Sequence, residues 1–163
     1  MIPVFVSIGS NIDREHHIRT AVAELRTRYG TLLLSGVYES TAIGFRGDNF
    51  YNLVARFQTD VPVLDLFGQL SELERGHGRI RGADRFVSRT LDLDLLLYGN
   101  LVRRGGPLRI PRPEITRYAF VLKPLSEIAP DLRHPVTGIG MAKMWSRLAA
   151  ENQAIWPALI DGL

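Results

Sequence analysis

Alternating apolar and polar positions predict strands in four parts of the chain. These runs are rich in branched, aromatic and leucine side chains, and they cover residues 2–8, 31–39, 50–58 and 90–98. The first run is followed by Gly9-Ser10-Asn11, which is typical of a turn, so we expect the strand to stop there. The last run, Thr-Leu-Asp-Leu-Asp-Leu-Leu-Leu-Tyr, alternates most clearly.

Apolar residues three and four positions apart predict two helices between these strands. The first follows Asp13 and ends at Gly30, and its buried stripe is predicted to consist of Ile18, Val22, Leu25 and Tyr29. The second follows Pro62 and ends near Gly76, with a buried stripe of Leu66, Leu70 and Leu73. Proline at the start of a helix and glycine at its end are both favoured positions.

The order of the elements predicts the fold class. After residue 110 we expect a helix that is broken near Pro124 and a last short helix around residues 141–151. The order β-α-β-β-α-β, followed by these extra elements, predicts an α+β fold. Its ferredoxin-like, antiparallel-rich sheet would have helices packed on both faces, an α/β/α sandwich. The 163 residues contain no repeat or low-complexity stretch, so we expect a single domain over residues 1–163.

Composition narrows the class of protein. Apolar residues make up 45% of the chain, as in an ordinary globular core. The absence of cysteine excludes disulfides, iron–sulfur clusters and thiolate zinc sites. No apolar run approaches the about 20 residues of a membrane helix, and the first residues contain neither a basic leader nor a small-residue cleavage site. We therefore expect a cytoplasmic protein with no membrane partner.

Arginine supplies 18 of the 20 basic residues, so the small net charge of +3 conceals an unusually arginine-rich set of cations. Genomic base composition explains such a bias, and so does phosphate binding, because a guanidinium offers a planar fork of donors to phosphate oxygens. Two clusters favour a polyanion, either a nucleotide or a nucleic acid. They consist of Arg75, Arg79, Arg81, Arg85 and Arg89, and of Arg103, Arg104, Arg109 and Arg112. The polar tract 76–88 is predicted to be a mobile loop.

Asp92 and Asp94 carry the strongest chemical signal. Residues two apart on a strand share a face, so both carboxylates point one way, while the opposite face presents to the core Leu91, Leu93, Leu95 and Leu97. Two solvated aspartates on an edge strand are the plain alternative. The arginine clusters before and after the strand favour carboxylates that hold one or two Mg²⁺ ions against a polyphosphate. Metal and cations around a polyphosphate are what phosphoryl transfer requires.

Other polar and aromatic residues are ambiguous from the sequence alone. His16 and His17 are expected to be solvated surface residues. Phe50 and Phe120 are expected in the core, where most aromatic side chains lie. Asn52 lies within an apolar strand, so it is either an outward-facing surface residue or a buried amide that recognises the edge of a heterocycle.

The segment Arg89-Thr90-Leu91-Asp92-Leu93-Asp94-Leu95-Leu96-Leu97-Tyr98-Gly99 closely resembles a motif of the 6-hydroxymethyl-7,8-dihydropterin pyrophosphokinase family of folate biosynthesis. Further matches follow the family's order along nearly the whole chain. They are Ser7-Ile8-Gly9-Ser10-Asn11, Phe50-Tyr51-Asn52, Gly78-Arg79-Ile80-Arg81 and Phe120-Val121-Leu122-Lys123-Pro124-Leu125-Ser126-Glu127-Ile128-Ala129-Pro130. The resemblance implies a monomeric enzyme that transfers pyrophosphate from ATP to the hydroxymethyl group of the pterin and releases AMP.

The resemblance also implies roles for individual residues. Asp92 and Asp94 would bind two Mg²⁺ ions that bridge the ATP phosphates. The catalytic residues would be these two aspartates and the arginines that meet the transferring group, Arg79 and Arg89. ATP would be held by Glu74, Arg81, Leu95 and Arg112. The pterin would be bound by Ser40, Ile43, Phe50, Asn52, Phe86 and Phe120.

Three departures from the family's pattern bear on activity. The usual Arg-Trp-Gly-Pro-Arg is here Arg85-Phe86-Val87-Ser88-Arg89, which keeps an aromatic residue but loses a rigid turn. Arg112 stands where the family has a histidine that touches ATP phosphate, and Tyr118 stands where it has an arginine. A family relative with an altered pterin substrate or reduced activity therefore stays an alternative.

An arginine-rich RNA-binding module is a second alternative from a different class. Such a module would carry aromatic residues on the exposed sheet face and would have no use for two acids there. Because Asp92 and Asp94 would repel a nucleic-acid backbone, we expect no nucleic-acid partner.

Overall fold

The computed structural model describes residues 1–78 and 90–163, which form a sheet covered by helices. The strands are β1 (Ile2–Ser10), β2 (Leu33–Leu34), β3 (Val37–Ser40), β4 (Phe50–Thr59), β5 (Asp92–Tyr98) and β6 (Ile155–Ala158). The helices are α1 (Arg14–Tyr29), α2 (Val63–Gly76), α3 (Ala119–Ile128) and α4 (Met141–Leu148), with short 3₁₀ turns at Pro113–Thr116 and Ala149–Glu151. Within the two described ranges, no helix is long and apolar enough to cross a membrane.

The sheet has the predicted ferredoxin-like order. Its strands pair as β5-β1-β4-β3-β6, with β2 also paired to β4, and each of these pairs is antiparallel. Helices α1 and α2 cover one face, and α3 and α4 cover the other. The α+β class and the sandwich of helices around one sheet are therefore confirmed.

Each face of the sheet buries its own apolar core, because successive residues of a strand point to opposite sides. The first core lies under α1 and α2 and contains the predicted helix stripes together with Leu53, Ala55 and Phe57 of β4. The second core lies under α3 and α4 and receives Val54 from the same strand. Both faces of β4 are thus buried, which fixes its register relative to its neighbours.

Strand β1 continues two residues beyond the predicted stop. Gly9 and Ser10 pair with Asn52 and Tyr51 of β4, so the turn sequence belongs to the end of the strand. The expected stop at Gly9 was wrong because cross-strand pairing on β4 outweighs the local turn preference. As a result, Gly9 lies between two neighbouring strands at the edge where the polar residues gather.

The run 31–39, predicted as one strand, is divided at Ser35. The backbone N–H of Ser35 donates to the carbonyl of Val54, and the Ser35 hydroxyl accepts the N–H of Val54 at 2.9 Å. The side chain therefore replaces a backbone acceptor in the ladder. Next to it, the N–H of Gly36 turns away from the sheet to the carboxylate of Glu127 on α3 at 2.7 Å.

A bulge in β5 places its leucines on both cores. Phe5 pairs with Leu97 and Val6 pairs with Leu95, so Leu96 is the extra residue. Leu96 and Leu97 both join the second core, whereas Leu95 stays in the first. The expectation that Leu97 shares the face of Leu95 was wrong, because strict alternation holds only up to the bulge.

Two features near the C-terminal end also differ from the predictions. Helix α3 runs through Pro124 without a break, since the burial of its apolar face against the sheet outweighs one missing N–H donor. Strand β6 was not predicted, because a four-residue run that contains proline is a weak strand signal. It is tolerated at the edge of the sheet, where only one side pairs, with β3.

The substitution Ser35→Ala tests the side-chain link in the ladder. It leaves the N–H of Val54 buried without its acceptor, so we expect the free energy of unfolding to fall by about 1–3 kcal/mol. Urea denaturation followed by circular dichroism measures this change. The matched control is Ser146→Ala on the exposed side of α4, which is expected to shift stability by no more than about 0.5 kcal/mol. Equal effects of the two substitutions would contradict this assignment.

Candidate active site

A cleft opens where β1 ends and β4 and β5 begin, on the face of the sheet that carries α3. It is lined by Ser7, Ile8 and Gly9 of β1, by Ser40, Thr41, Ile43, Phe45, Phe50 and Asn52 around β3 and β4, by Asp92 and Asp94 of β5, and by Arg112, Glu114, Tyr118, Phe120 and Val121. Eight residues predicted to form a site are among them: Ser40, Ile43, Phe50, Asn52, Asp92, Asp94, Arg112 and Phe120.

The two aspartates of β5 lie on the same wall of this cleft. Asp92 is opposite Gly9 of β1, and Asp94 is opposite Ser7. The neighbours across the strand pair are thus a glycine and a serine, which are the smaller side chains of this row. Both carboxylates offer hard oxygen donors of the kind that Mg²⁺ takes in proteins, so the donor set fits the predicted metal.

One row of the sheet runs from Asp92 to Asn52, the amide residue that is predicted to bind the pterin. Gly9 is paired with Asp92 on one side and with Asn52 on the other. Two strand spacings place these residues about 10 Å apart along the row. Two ligands, one bound beside Asp92 and the other beside Asn52, would therefore meet over Gly9.

Arg112 reaches the aspartates from outside the sheet. Its backbone N–H donates to the carbonyl of Leu96, which anchors the segment that follows Ile110 beside β5. Its Nη2 lies 3.1 Å from Oδ1 of Asp94, and its Nε lies 3.3 Å from Oε2 of Glu114. Burial alone would lower the pKa of Arg112, but the carboxylates of Asp94, Glu114, Asp92 and Glu74 outweigh it and raise the pKa. The guanidinium is therefore charged at any physiological pH.

Glu114 and Phe45 are part of the cleft but were not predicted. Glu114 follows two prolines, and its carboxylate approaches the site only because the 3₁₀ turn Pro113–Thr116 folds back toward Arg112. Phe45 follows Gly44 in a polar connection between two strands. An aromatic residue in such a polar segment was the one signal that could have identified it.

Two aromatic pairs form the apolar part of the cleft. Phe45 and Phe50 meet edge to face, with ring centroids 6.3 Å apart. Tyr118 and Phe120 are stacked, with centroids 5.1 Å apart and planes inclined by 16°. The core expectation holds in part for Phe120, which packs against the second core, and it was wrong for Phe50. Both rings line the cleft. Flat apolar walls of this kind suit a planar heterocycle.

Of the two alternatives for Asn52, a surface residue or a buried amide, the structure shows the buried amide. The residue is only 7% exposed. Its Nδ2 donates to the carbonyl of Tyr38 at 3.1 Å and to Oγ of Ser40 at 2.9 Å. These two donated bonds set the orientation of the amide. The atom that Asn52 presents to a ligand is therefore its carbonyl oxygen, an acceptor.

Two predicted ATP residues lie outside this lining. The side chain of Leu95 packs in the first core, and the residue is 2% exposed, so only its backbone could touch a ligand. Glu74 is 7% exposed on α2, and its carboxylate accepts the N–H of Leu93 at 2.7 Å. Glu74 therefore contacts the outer edge of β5, and its predicted contact with ATP stays a prediction.

Four predicted site residues, namely Arg79, Arg81, Phe86 and Arg89, lie outside the described residues. The same holds for residues 79–88 of the tract predicted to be a mobile loop. Their roles therefore stay predictions.

A histidine pair lies away from the cleft, on α1 and at the end of α2. Nδ1 of His17 is 2.7 Å from Nδ1 of His77, and Nε2 of His77 is 3.3 Å from Oε1 of Glu24. Burial, followed by the charges of His77 and His16, lowers the pKa of His17. The expectation of a solvated surface residue holds for His16, which is exposed, but it was wrong for His17.

The segment 41–49, which carries one wall of the cleft, is attached to the body of the protein by Arg14. Nη1 of Arg14 donates to the carbonyl of Asn49 and to Oε1 of Glu39, both at 2.9 Å. The same guanidinium lies 3.6 Å above the ring of Tyr51. Glu39 also accepts a bond from Nε1 of Trp156 on β6. Two amides add to this attachment, because Nδ2 of Asn11 donates to the carbonyl of Asp48 at 3.1 Å and Nδ2 of Asn49 donates to Oε1 of Glu39 at 3.3 Å. Arg14 is thus the charged member of the network that holds the end of the segment leading into β4.

The substitution Arg14→Gln tests this attachment. It removes the bond to the Asn49 carbonyl and the ion pair with Glu39, and bonds to charged groups contribute about 1.5–3 kcal/mol each. We expect amide hydrogen exchange within residues 42–50 to become at least about tenfold faster. Arg26→Gln, on an exposed position of the same helix, is the control for the loss of charge. Unchanged exchange in this segment would show that other contacts hold it.

Comparisons with known proteins add independent information on this arrangement. The family model described as 7,8-dihydro-6-hydroxymethylpterin-pyrophosphokinase (HPPK) matches residues 5–130. The chain is 34% identical over 140 residues to the 2-amino-4-hydroxy-6-hydroxymethyldihydropteridine pyrophosphokinase of Haemophilus influenzae, which covers 83% of the chain and 86% of that protein. It is also 34% identical over 148 residues to the folic acid synthesis protein fol1 of Pneumocystis carinii. That match covers 89% of the chain but only 20% of the much longer fungal protein.

A solved structure shares the fold. The HPPK-DHPS protein of Plasmodium falciparum superposes with a TM-score of 0.71 at 13% identity, and the match covers 93% of this chain and 44% of that one. At this level of identity, the likeness supports the architecture alone.

Proposed function

The chain belongs to the 7,8-dihydro-6-hydroxymethylpterin-pyrophosphokinase family, and we propose that the cleft at the ends of β5, β1 and β4 is its active site. As an ATP-dependent diphosphotransferase of folate synthesis, it transfers a pyrophosphoryl group from ATP to the hydroxymethyl group of the dihydropterin. The observation that carries the site assignment is the row of Asp92, Gly9 and Asn52, with a guanidinium beside the acids.

The carboxylate end of the row is suited to the triphosphate. The reaction needs a metal ion, and we propose Mg²⁺, with two ions held by Asp92 and Asp94. Bound Mg²⁺ would neutralise charge on the phosphate oxygens. Arg112 supports the same assignment, because its guanidinium lies beside the acids and its planar fork of N–H donors suits phosphate oxygens.

The aromatic end of the row is suited to the pterin. Phe50 and Phe120 supply flat apolar surfaces in the lining of the cleft, and Asn52 supplies a hydrogen-bond acceptor that Tyr38 and Ser40 hold in place. The N–H groups on the pyrimidine edge of a pterin are donors that match this acceptor. Orientation by one fixed amide would direct the hydroxymethyl group along the row toward Asp92.

The chemistry is a displacement at the β-phosphorus. The hydroxymethyl oxygen forms a bond to the β-phosphorus while the bond between this phosphorus and the oxygen shared with the α-phosphate breaks. AMP leaves with that oxygen, and the hydroxyl proton passes to water. The chain's own contribution is to position both substrates and to neutralise developing charge, which is where catalysis of phosphoryl transfer comes from. Arg79 and Arg89 are expected to act in the same way.

We also propose that the enzyme works as a monomer in the cytoplasm, on ATP and the pterin alone. The RNA-binding alternative is not favoured, because the acids share the cleft with the aromatic residues that RNA would have to approach.

The substitution Asp94→Ala tests the metal end of the site. It removes one carboxylate from the proposed metal ligands, so we expect formation of AMP from ATP, Mg²⁺ and the pterin to fall by at least about 100-fold. The circular dichroism spectrum should not change, since the residue is at the surface of the cleft. Asp65→Ala, on an exposed position of α2, should retain wild-type turnover. Wild-type turnover in the Asp94 variant would refute the site assignment.

The substitution Asn52→Ala tests the pterin end. It removes the fixed acceptor and leaves the ligand's N–H groups without a partner, so we expect the Kd for the pterin to rise by about 10–100-fold. Titration calorimetry in the presence of a non-hydrolysable ATP analogue measures this Kd. The Kd for the analogue itself should stay within about twofold of wild type. A larger effect on the nucleotide than on the pterin would reverse the assignment of the two ends.

A further inference from the structure

The ion pair between Arg112 and Asp94 affects the order in which metal and nucleotide bind. The inference drawn from it rests on the proposed function. Nη2 of Arg112 lies 3.1 Å from the Oδ1 atom of a carboxylate that would hold the metal. A guanidinium and a divalent cation at the same carboxylate are competitors, because both are attracted to its lone pairs and repel each other.

The backbone of Arg112 is held beside β5, so its guanidinium stays within reach of Asp94. Its backbone is flanked by Pro111 and Pro113, which restrict the chain, and its N–H is bonded to the carbonyl of Leu96. The side chain is only one-quarter exposed and has a second carboxylate, Glu114, at 3.3 Å from Nε. An arginine does not lose its proton in a protein, so the competition cannot be relieved by deprotonation.

A triphosphate offers the guanidinium a different partner. Phosphate oxygens accept the same forked pair of N–H donors as a carboxylate, and they carry the charge that would accompany the metal. When the nucleotide enters, Arg112 can turn from Asp94 to a phosphate oxygen, which removes one competing positive charge from the carboxylate that would hold the metal. The exchange conserves the number of charged contacts made by Arg112.

We propose that Arg112 is an exchangeable counter-cation that suppresses the binding of free divalent metal and makes metal binding depend on the triphosphate. Arg112 is then a positioning residue that acts through Asp94. The coupling is reciprocal, since a nucleotide that strengthens metal binding must itself be bound more tightly by the same factor when metal is present.

Binding of Mn²⁺, observed by the electron paramagnetic resonance signal of the free ion, tests the proposal without turnover. Titrations are made with the whole chain, with and without an ATP analogue whose α- and β-phosphates are joined by a methylene group. In the wild type, we expect weak binding of Mn²⁺ alone and at least about tenfold tighter binding with the analogue. In Arg112→Gln, we expect Mn²⁺ alone to bind at least about fivefold more tightly than in the wild type, and the gain from the analogue to shrink.

Four further variants separate this effect from general electrostatics and from misfolding. Arg117→Gln removes the same charge at an exposed position outside the cleft and should bind Mn²⁺ as the wild type does. Arg112→Lys keeps the charge and should also bind free Mn²⁺ weakly. If the glutamine variant unfolds, Arg112→Met removes the same charge and should show the same increase. Adding Asp94→Asn to Arg112→Gln should abolish the increase, because the increase is exerted through that carboxylate.

The proposal is overturned if Arg112→Gln binds Mn²⁺ alone no more tightly than the wild type, or if Arg117→Gln shows the same increase. Formation of AMP from ATP and the pterin by the wild type distinguishes a failure of the role of Arg112 from a failure of the proposed function. If AMP is formed and the Mn²⁺ affinities do not differ, only the role of Arg112 fails. If no AMP is formed and the analogue does not promote Mn²⁺ binding, the proposed function fails with it.

Discussion

The pairing of β1 with β4 on one side and β5 on the other is the constraint on which the site depends. Backbone hydrogen bonds fix the distance between the three strands, so Asp92 and Asn52 are held on either side of Gly9. The two cores keep this arrangement flat and in register, because each strand buries side chains on both faces. A shift of β5 by one residue would turn both carboxylates into the first core, at a high cost in desolvation.

The parts of the cleft outside the sheet are attached to this frame by a few hydrogen bonds. Arg112 is held by its backbone bond to Leu96, and Asn49 is held by the guanidinium of Arg14. Such attachment differs from the burial that stabilises the strands, since it depends on few contacts near solvent. The rigid acids and amide of the sheet are therefore combined with walls that can adapt to the ligands.

Patterns in the sequence predicted those features that depend on neighbours along the chain. The helix stripes, the strand order and the shared face of Asp92 and Asp94 all follow from periodicity, and the structure confirms them. The features that were missed depend on partners distant in sequence. The bulge at Leu96 is set by pairing with β1, the break at Ser35 by Val54, and the edge strand β6 by its pairing with β3.

The same distinction applies to the site. Motif positions on strands predicted Asp92, Asp94 and Asn52, whose surroundings are fixed by the sheet. Periodicity gave no information on Glu114 or Phe45, because both reach the cleft from irregular segments. The proximity of Arg112 to Asp94 also lies outside what any spacing rule can supply, since 17 residues and a turn separate them.

Glu74 has a consequence for how the molecule behaves at high concentration. Strand β5 is at the end of the sheet, where exposed N–H groups can pair with a strand of another molecule and start aggregation. Because the carboxylate of Glu74 already occupies the outward N–H of Leu93, a second chain finds no donor there. A side chain on α2 thereby blocks edge-to-edge pairing at this position of the strand that carries the acids.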